Sequence, residues 1–199
     1  MVKILAAGDF HGDISRADFL AKKAIDENVD LIILNGDIVE EDKIEGIIGK
    51  FKATGKKILL VPGNHDFIAT EVLAQKYDVT NLHGKALKVG DVGFIGCGGA
   101  NIGLNMLHED EIYDLIKQAS KYNKDVKRTV FITHVHPADT KMASFSDFVP
   151  GSTGLKNAIS AFKPDLVLCG HVHEAEGIEE KVDNTLVVNV GKSGKIIDL

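Results

Sequence analysis

Apolar and polar positions change their period several times along the chain. Val2 to Ala7, Leu31 to Leu34 and Lys57 to Val61 are short and almost wholly apolar, whereas Ile14 to Glu27 and Lys43 to Lys52 place apolar residues at helical spacing. The order is β-α-β-α-β. Runs such as Leu31-Ile32-Ile33-Leu34 and Ile58-Leu59-Leu60-Val61 lack the alternation of a strand with one wet face. They are expected to be covered on both faces, as in a layered α/β domain. The first helix has two candidate starts, a capping box over Ser15-Arg16-Ala17-Asp18 or a cap at Asp13.

Further along, the Gly- and Val-rich segment Thr80 to Gly99 reads as two or three antiparallel strands continuing the same sheet. A helix is expected over Glu109 to Tyr122, and strands over Arg128 to Thr133, Asp165 to Cys169 and Thr185 to Val190. A helix from Gly154 to Phe162 lies between the first two, and Lys195 to Leu199 forms a last edge strand. Pro137 to Thr153 is a long irregular connection, a type that often carries function.

With 199 residues the chain can bury one sizeable core, so residues 1–199 are read as a single domain. Hydrophobic residues at 44% and charged residues at 26% place it among globular proteins. No apolar run reaches the roughly 20 residues of a membrane span, and Met1-Val2-Lys3-Ile4-Leu5 leads into a strand rather than a signal peptide. A cytoplasmic location is expected. Cys97 and Cys169 lie in apolar, strand-like surroundings and read as buried thiols, too few for a disulfide framework or a cysteine zinc site. The formal charge of −6, with no block of Lys or Arg, disfavours long nucleic acid as a partner. An anionic substrate would then be drawn in only by bound cations.

Five fragments fall at or just after the carboxyl ends of expected strands, the edge where open α/β sheets place their sites: Asp9-Phe10-His11, Gly36-Asp37, Gly63-Asn64-His65-Asp66, Thr133-His134 and Gly170-His171-Val172-His173. On an extended chain residues two apart point the same way, so Asp9 with His11, and His171 with His173, can each present two ligands to one place. Adjacent residues diverge, which lets the Asn64 amide reach a metal while His65 moves protons. The donors are imidazole nitrogens and hard oxygens without sulfur. That mixture suits manganese, iron, nickel or zinc rather than calcium, with Mn2+ or iron the first choice. Two carboxylates against two divalent ions leave a surplus of positive charge for a phosphate. Singly, each fragment is common in turns; their joint occurrence in this order is not.

The ordered set Asp-x-His, Gly-Asp, Gly-Asn-His-Asp, His, Gly-His-x-His resembles the signature of the calcineurin-like metallophosphoesterase superfamily, over residues 9 to 173. The resemblance implies a β-sandwich of two mixed sheets flanked by helices. It also implies that Asp9, His11 and His173 hold one metal, that Asn64, His134 and His171 hold the second, and that Asp37 bridges them. A phosphate ester, most simply a small phosphodiester, would be hydrolysed by a hydroxide between the ions, with His65 as proton donor. Glu40 stands where relatives carry the carboxylate that orients this histidine, although an acidic turn with Glu41 and Asp42 reads equally well. Relatives acting on phosphoproteins carry arginine where this chain has Glu41. Phosphomonoesters and short strands are alternative substrates for the same site. A non-catalytic scaffold related to this superfamily lacks the imidazole that this chain keeps at His65.

Other residues carry less. His136 is a candidate pocket residue because it follows His134 by two positions, and His83 and His108 are expected at the surface. Asn101 and Asn105 fit a turn, or a loop reaching substrate. Met142, Phe145, Phe148 and Pro150 look exposed and are read as a substrate wall or as a contact in a homodimer.

Overall fold

A computed structural model describes every residue from Met1 to Leu199 except Glu41, Asp42, Lys43, Glu45 and Asp147. Three parallel strands, β1 (Lys3–Ala7), β2 (Leu31–Asn35) and β3 (Lys57–Val61), form the centre of a first sheet. Helices α1 (Ile14–Asp26), α2 (Ile47–Lys52) and α3 (Phe67–Tyr77) accompany them. The two-residue strand β4 (Thr80–Asn81) closes one edge, and β11 (Lys195–Asp198) lies antiparallel to β1 at the other, as expected for a last edge strand.

The second sheet has the order β5-β6-β7-β8-β10-β9. Its strands are β5 (Ala86–Val89), β6 (Val92–Cys97), β7 (Arg128–Thr133), β8 (Leu166–Cys169), β9 (Glu179–Val182) and β10 (Thr185–Asn189), with helices α4 (Glu109–Ser120) and α5 (Thr153–Phe162). The pairings β6-β7, β7-β8 and β8-β10 are parallel, while β5-β6 and β9-β10 are antiparallel, so both sheets are mixed.

Burial explains why the strand runs lack alternation. Leu5, Ala7, Ile32, Leu34, Ile58 and Leu60 pack with Leu20, Ala24, Phe51 and Leu73 of the helices, whereas Ile4, Ala6, Leu31, Ile33, Leu59 and Val61 pack with Phe94, Val130, Ile132 and Leu168 of the second sheet. Successive side chains thus enter different cores, and each strand must be apolar throughout. A third core joins Phe131, Val167, Cys169 and Val187 to Ile112, Ile116, Leu155 and Ile159 of α4 and α5. The result is a helix–sheet–sheet–helix sandwich. Cys97 and Cys169 are buried free thiols, pushed up by burial, Cys97 to about 12.

Several boundaries differ from the sequence reading. Helix α1 is capped by Asp13, whose Oδ1 accepts the Arg16 N–H at 2.9 Å, so the Ser15 box is not used. Helix α2 begins at Ile47; the expected start at Lys43 lies outside the described residues, as do Glu41 and Asp42 of the acidic turn. The strands within Thr80 to Gly99 do not all continue the first sheet: β4 pairs parallel with β3, and β5 and β6 form a hairpin on the second. Period identifies a strand but not the sheet it joins, because both sheets ask for the same pattern. Helix α3 went unread since its apolar residues are spread around the axis, leaving Ile68 and Val72 exposed. β9, with the sequence Glu-Glu-Lys-Val, is an edge strand too polar to register.

Candidate metal centre

The carboxyl ends of β1, β2, β3, β7 and β8 converge, and each strand is followed at once by one of the polar fragments. The turns there are tight. Asp9, His11, Asp37 and His171 all adopt positive φ, at 53°, 45°, 47° and 73°, a region that costs a non-glycine residue energy and concentrates at functional sites. Two glycines make room for the carboxylates. A Cβ on Gly63 would lie 2.0 Å from Asp37 Oδ1, and one on Gly170 would lie 2.4 Å from Asp9 Oδ2. Buried Asp66 accepts the Gly63 N–H at 2.7 Å and the Ile38 N–H at 2.6 Å, tying the loop after β2 to the loop after β3. Burial raises the Asp66 carboxyl and the nearby Asp37 charge adds to this, against those N–H donors. The sequence displays Asp66 as the fourth residue of Gly-Asn-His-Asp, but its role as a loop clamp emerges only from the fold.

Two triads could each hold a cation: Asp9, His11 and His173, and Asp37, His134 and His171, with the donor atoms of each triad within 4.8 Å of one another. In the first, His11 Nδ1 and Glu40 Oε1 are 2.5 Å apart. Donation from Nδ1–H to that carboxylate leaves Nε2 as a lone pair, which lies 3.1 Å from His173 Nε2 and 3.8 Å from Asp37 Oδ2. In the second, His134 donates from Nδ1 to the Asn35 carbonyl at 3.0 Å. Its Nε2 then faces Asp37 Oδ2 at 3.2 Å and Asn64 Oδ1 at 3.3 Å. A ring nitrogen facing two oxygens calls for positive charge among them, either its own proton or a cation in that proton's place. The outer-nitrogen anchors, Glu40 and Asn35, are those that metal-binding imidazoles use to fix their tautomer.

The electrostatics have the same sign. Burial alone would lower His134, but the Asp37 and Asp9 carboxylates outweigh it and hold the imidazole at about 9. Burial likewise pushes Asp37 up, yet His134, the His65 N–H and His11 bring it below its ordinary value. His171 is lowered to about 3 by burial and by His134, so it presents a neutral ring. Asp9 is raised by burial, and among the described residues its buried Oδ2, like His171 Nε2, meets no hydrogen-bond partner. Buried carboxylates, the unpartnered Asp9 Oδ2 and His171 Nε2, and a field that favours positive charge fit divalent cations.

His65 lies beside the triads. Its N–H donates to Asp37 Oδ1 at 3.0 Å and its ring sits edge-on to His11, with centroids 5.2 Å apart. Glu40 departs from the expected arrangement: it bonds His11, and its Oε2 stands 3.9 Å from His65 Nδ1, beyond hydrogen-bond reach. His136 is fully buried with neither ring nitrogen partnered among the described residues, and burial lowers it to about 4. His83 is not a surface residue. It is half-buried, accepts the Gly98 N–H at 3.0 Å and meets the Phe67 ring edge-on. His108 is exposed and shares a capping box with Glu111 at the start of α4.

Asn101 binds Glu109 and the Gly151 carbonyl, whereas Asn105 donates to the Asn64 carbonyl at 2.9 Å and so supports the candidate ligand loop. In the 137–153 connection, Met142 is buried rather than exposed, packed against Cys169, while Phe145, Phe148 and Pro150 are exposed. No helix among the described residues is long and apolar enough to cross a membrane.

Comparison with known proteins agrees with this architecture. The fold is similar to that of TT1561 of Thermus thermophilus, with TM-score 0.75, 19% identity and coverage of 96% of this chain and 89% of that one. It is also similar to a dimetal phosphatase from Danio rerio, with TM-score 0.63, 11% identity and coverage of 94% and 86%. A third relative is an archaeal phosphodiesterase, with TM-score 0.57, 20% identity and coverage of 95% and 83%. No curated protein matches the sequence. Residues 2–175 match the profile of the calcineurin-like phosphoesterases, most of the chain's length. The chain therefore belongs to the calcineurin-like phosphoesterase family, and with it to the metal-dependent phosphoric ester hydrolases.

Proposed function

We propose that the protein hydrolyses a small phosphate ester, a phosphodiester in the first instance, at a pair of divalent cations, Mn2+ or iron before Ni2+ or Zn2+. Asp9, His11 and His173 would hold one ion and Asn64, His134 and His171 the other, with the Asp37 carboxylate shared. The observation that carries this reading is the pairing of the two triads across Asp37, whose Oδ2 stands 3.2 Å from His134 Nε2 and 3.8 Å from His11 Nε2. Bound there, the ions would supply positive charge to the phosphate oxygens and make a water more acidic.

The chain's own residues do the rest. His11 and His134 are locked with Nε2 inward by Glu40 and Asn35, so their lone pairs need no reorganisation. His65, in its protonated form, gives its proton to the departing oxygen. The short turns and the glycines at 63 and 170 fix the carboxylates, leaving the solvent-accessible His65 and His173 as the groups a substrate meets first.

Such a protein works in the cytoplasm on a small, freely diffusing ester, since the net charge of −6 does not favour a polyanion. The test is a screen of Mn2+- and Fe-reconstituted protein against linear and cyclic diesters, monoesters and short oligonucleotides. Diesters are expected to turn over fastest, with chelation abolishing the rate. Inactivity on every ester with both ions bound would refute the hydrolytic reading and favour an interaction scaffold.

A further inference from the structure

Helix α3 carries apolar side chains where a surface helix normally carries polar ones. Ile68 is 76% exposed and Val72, one turn on, is 60% exposed. With Phe67, Leu73, Asn105, the ring of His65 and, one turn beyond Val72, Lys76, they line a groove of about 460 Å³, within the ~300–1,000 Å³ usual for small-molecule sites. Exposed apolar side chains clustered around one concavity mark a surface built to be covered. The groove is continuous with the candidate centre: His65 belongs to both, and Asn105 is tied to the Asn64 carbonyl at 2.9 Å.

Resting on the reading that His65 protonates the departing oxygen, we infer that this groove receives the alcohol half of the substrate and that this alcohol is apolar, an alkyl or aryl group. The oxygen protonated by His65 carries the carbon chain of the leaving alcohol. That chain continues along the surface adjoining the imidazole, and this surface is Phe67, Ile68 and Val72. A sugar or other polyol would set its hydroxyls against a largely carbon wall and lose their hydrogen bonds to water. An apolar chain would cover side chains now facing solvent, strengthening binding roughly two- to fourfold for each methylene buried.

The experiment compares methylphosphonate with octylphosphonate by calorimetric titration of the Mn2+-reconstituted protein. The octyl compound should bind roughly thirtyfold tighter or more, and Val72→Glu should cut that ratio by about tenfold. Equal binding of the two, whether tight or absent, overturns the groove. Hydrolysis of methyl and octyl esters, as monoesters and as methyl diesters, is followed in parallel. Turnover without chain-length preference in either assay leaves the hydrolase and removes the groove. Inactivity on all esters with octylphosphonate still preferred removes the hydrolytic reading and leaves an apolar ligand site. A sedimentation dimer that Val72→Glu dissociates, with no chain-length dependence of binding, gives this face to a second copy of the chain and overturns the inference.

Discussion

The two triads use the same donor chemistry but bury their imidazoles to different depths. Each has a buried carboxylate, Asp9 or Asp37, but the imidazoles differ: His134 has a side-chain exposure of 0% and His171 is half-buried, whereas His11 and His173 have 26% and 55%. Their anchors differ too. The inner imidazole of His134 is fixed by a main-chain carbonyl at the end of β2, a group that cannot move without disturbing the sheet. The outer imidazole of His11 is fixed by the Glu40 side chain, which is itself 31% exposed. Rigidity and exclusion of water both strengthen a coordination site. The inner site should therefore hold its ion tightly and exchange it slowly, and the outer site should be the one that responds to the metal concentration.

Asp37→Ala is expected to have the largest effect, because this carboxylate faces both triads. Activity should fall roughly a thousandfold or more, and elemental analysis should find fewer than two ions per chain. Two ions retained would sink the shared role. His65→Ala comes next and separates the proton from the cations. Both ions should stay, while hydrolysis of an alkyl ester drops by roughly two to four orders of magnitude. A p-nitrophenyl ester, whose leaving group needs no proton, should lose far less; equal losses would remove His65 as proton donor. His134→Ala and His173→Ala then set inside against outside. The first should lose its ion at any accessible Mn2+ concentration and melt at a lower temperature. The second should recover activity as Mn2+ is raised. Identical metal dependence of the two variants would break the comparison.

Much of this was legible in the sequence, for a physical reason. Strands buried on both faces must be apolar throughout, so β1, β2 and β3 stand out as unbroken runs, and polar residues directly after them had to lie at the sheet edge. The seven candidate ligands followed from that placement and from the resemblance their spacing carries. What sequence could not give were relations across the fold. Nothing in the pattern of Glu40 says that it turns toward His11 instead of His65, since both imidazoles lie across the fold from it in separate loops. The assignment of β5 and β6 to the second sheet was hidden because both sheets bury both faces. Asp66 was visible only as a motif letter, for its partners are main-chain N–H groups that carry no side-chain signature. Helix α3 escaped because solvent-exposed Ile68 and Val72 erase the polar face by which a surface helix is recognised.

Glu40→Gln is the smallest change and the sharpest test of the contrast between the triads. The amide keeps the volume of the carboxylate and can still accept from His11 Nδ1–H, but without the negative charge. Such outer partners typically contribute ~10–100-fold in metal affinity or activity. The loss should fall on the outer ion alone, because Glu40 reaches His11 at 2.5 Å whereas His134 is anchored independently on Asn35. Competition with a chromophoric chelator should therefore show one weakened and one unchanged binding step, and activity should return as Mn2+ is raised. Equal weakening of both steps would mean that the triads respond as one unit through Asp37, and that their difference in burial does not separate their affinities.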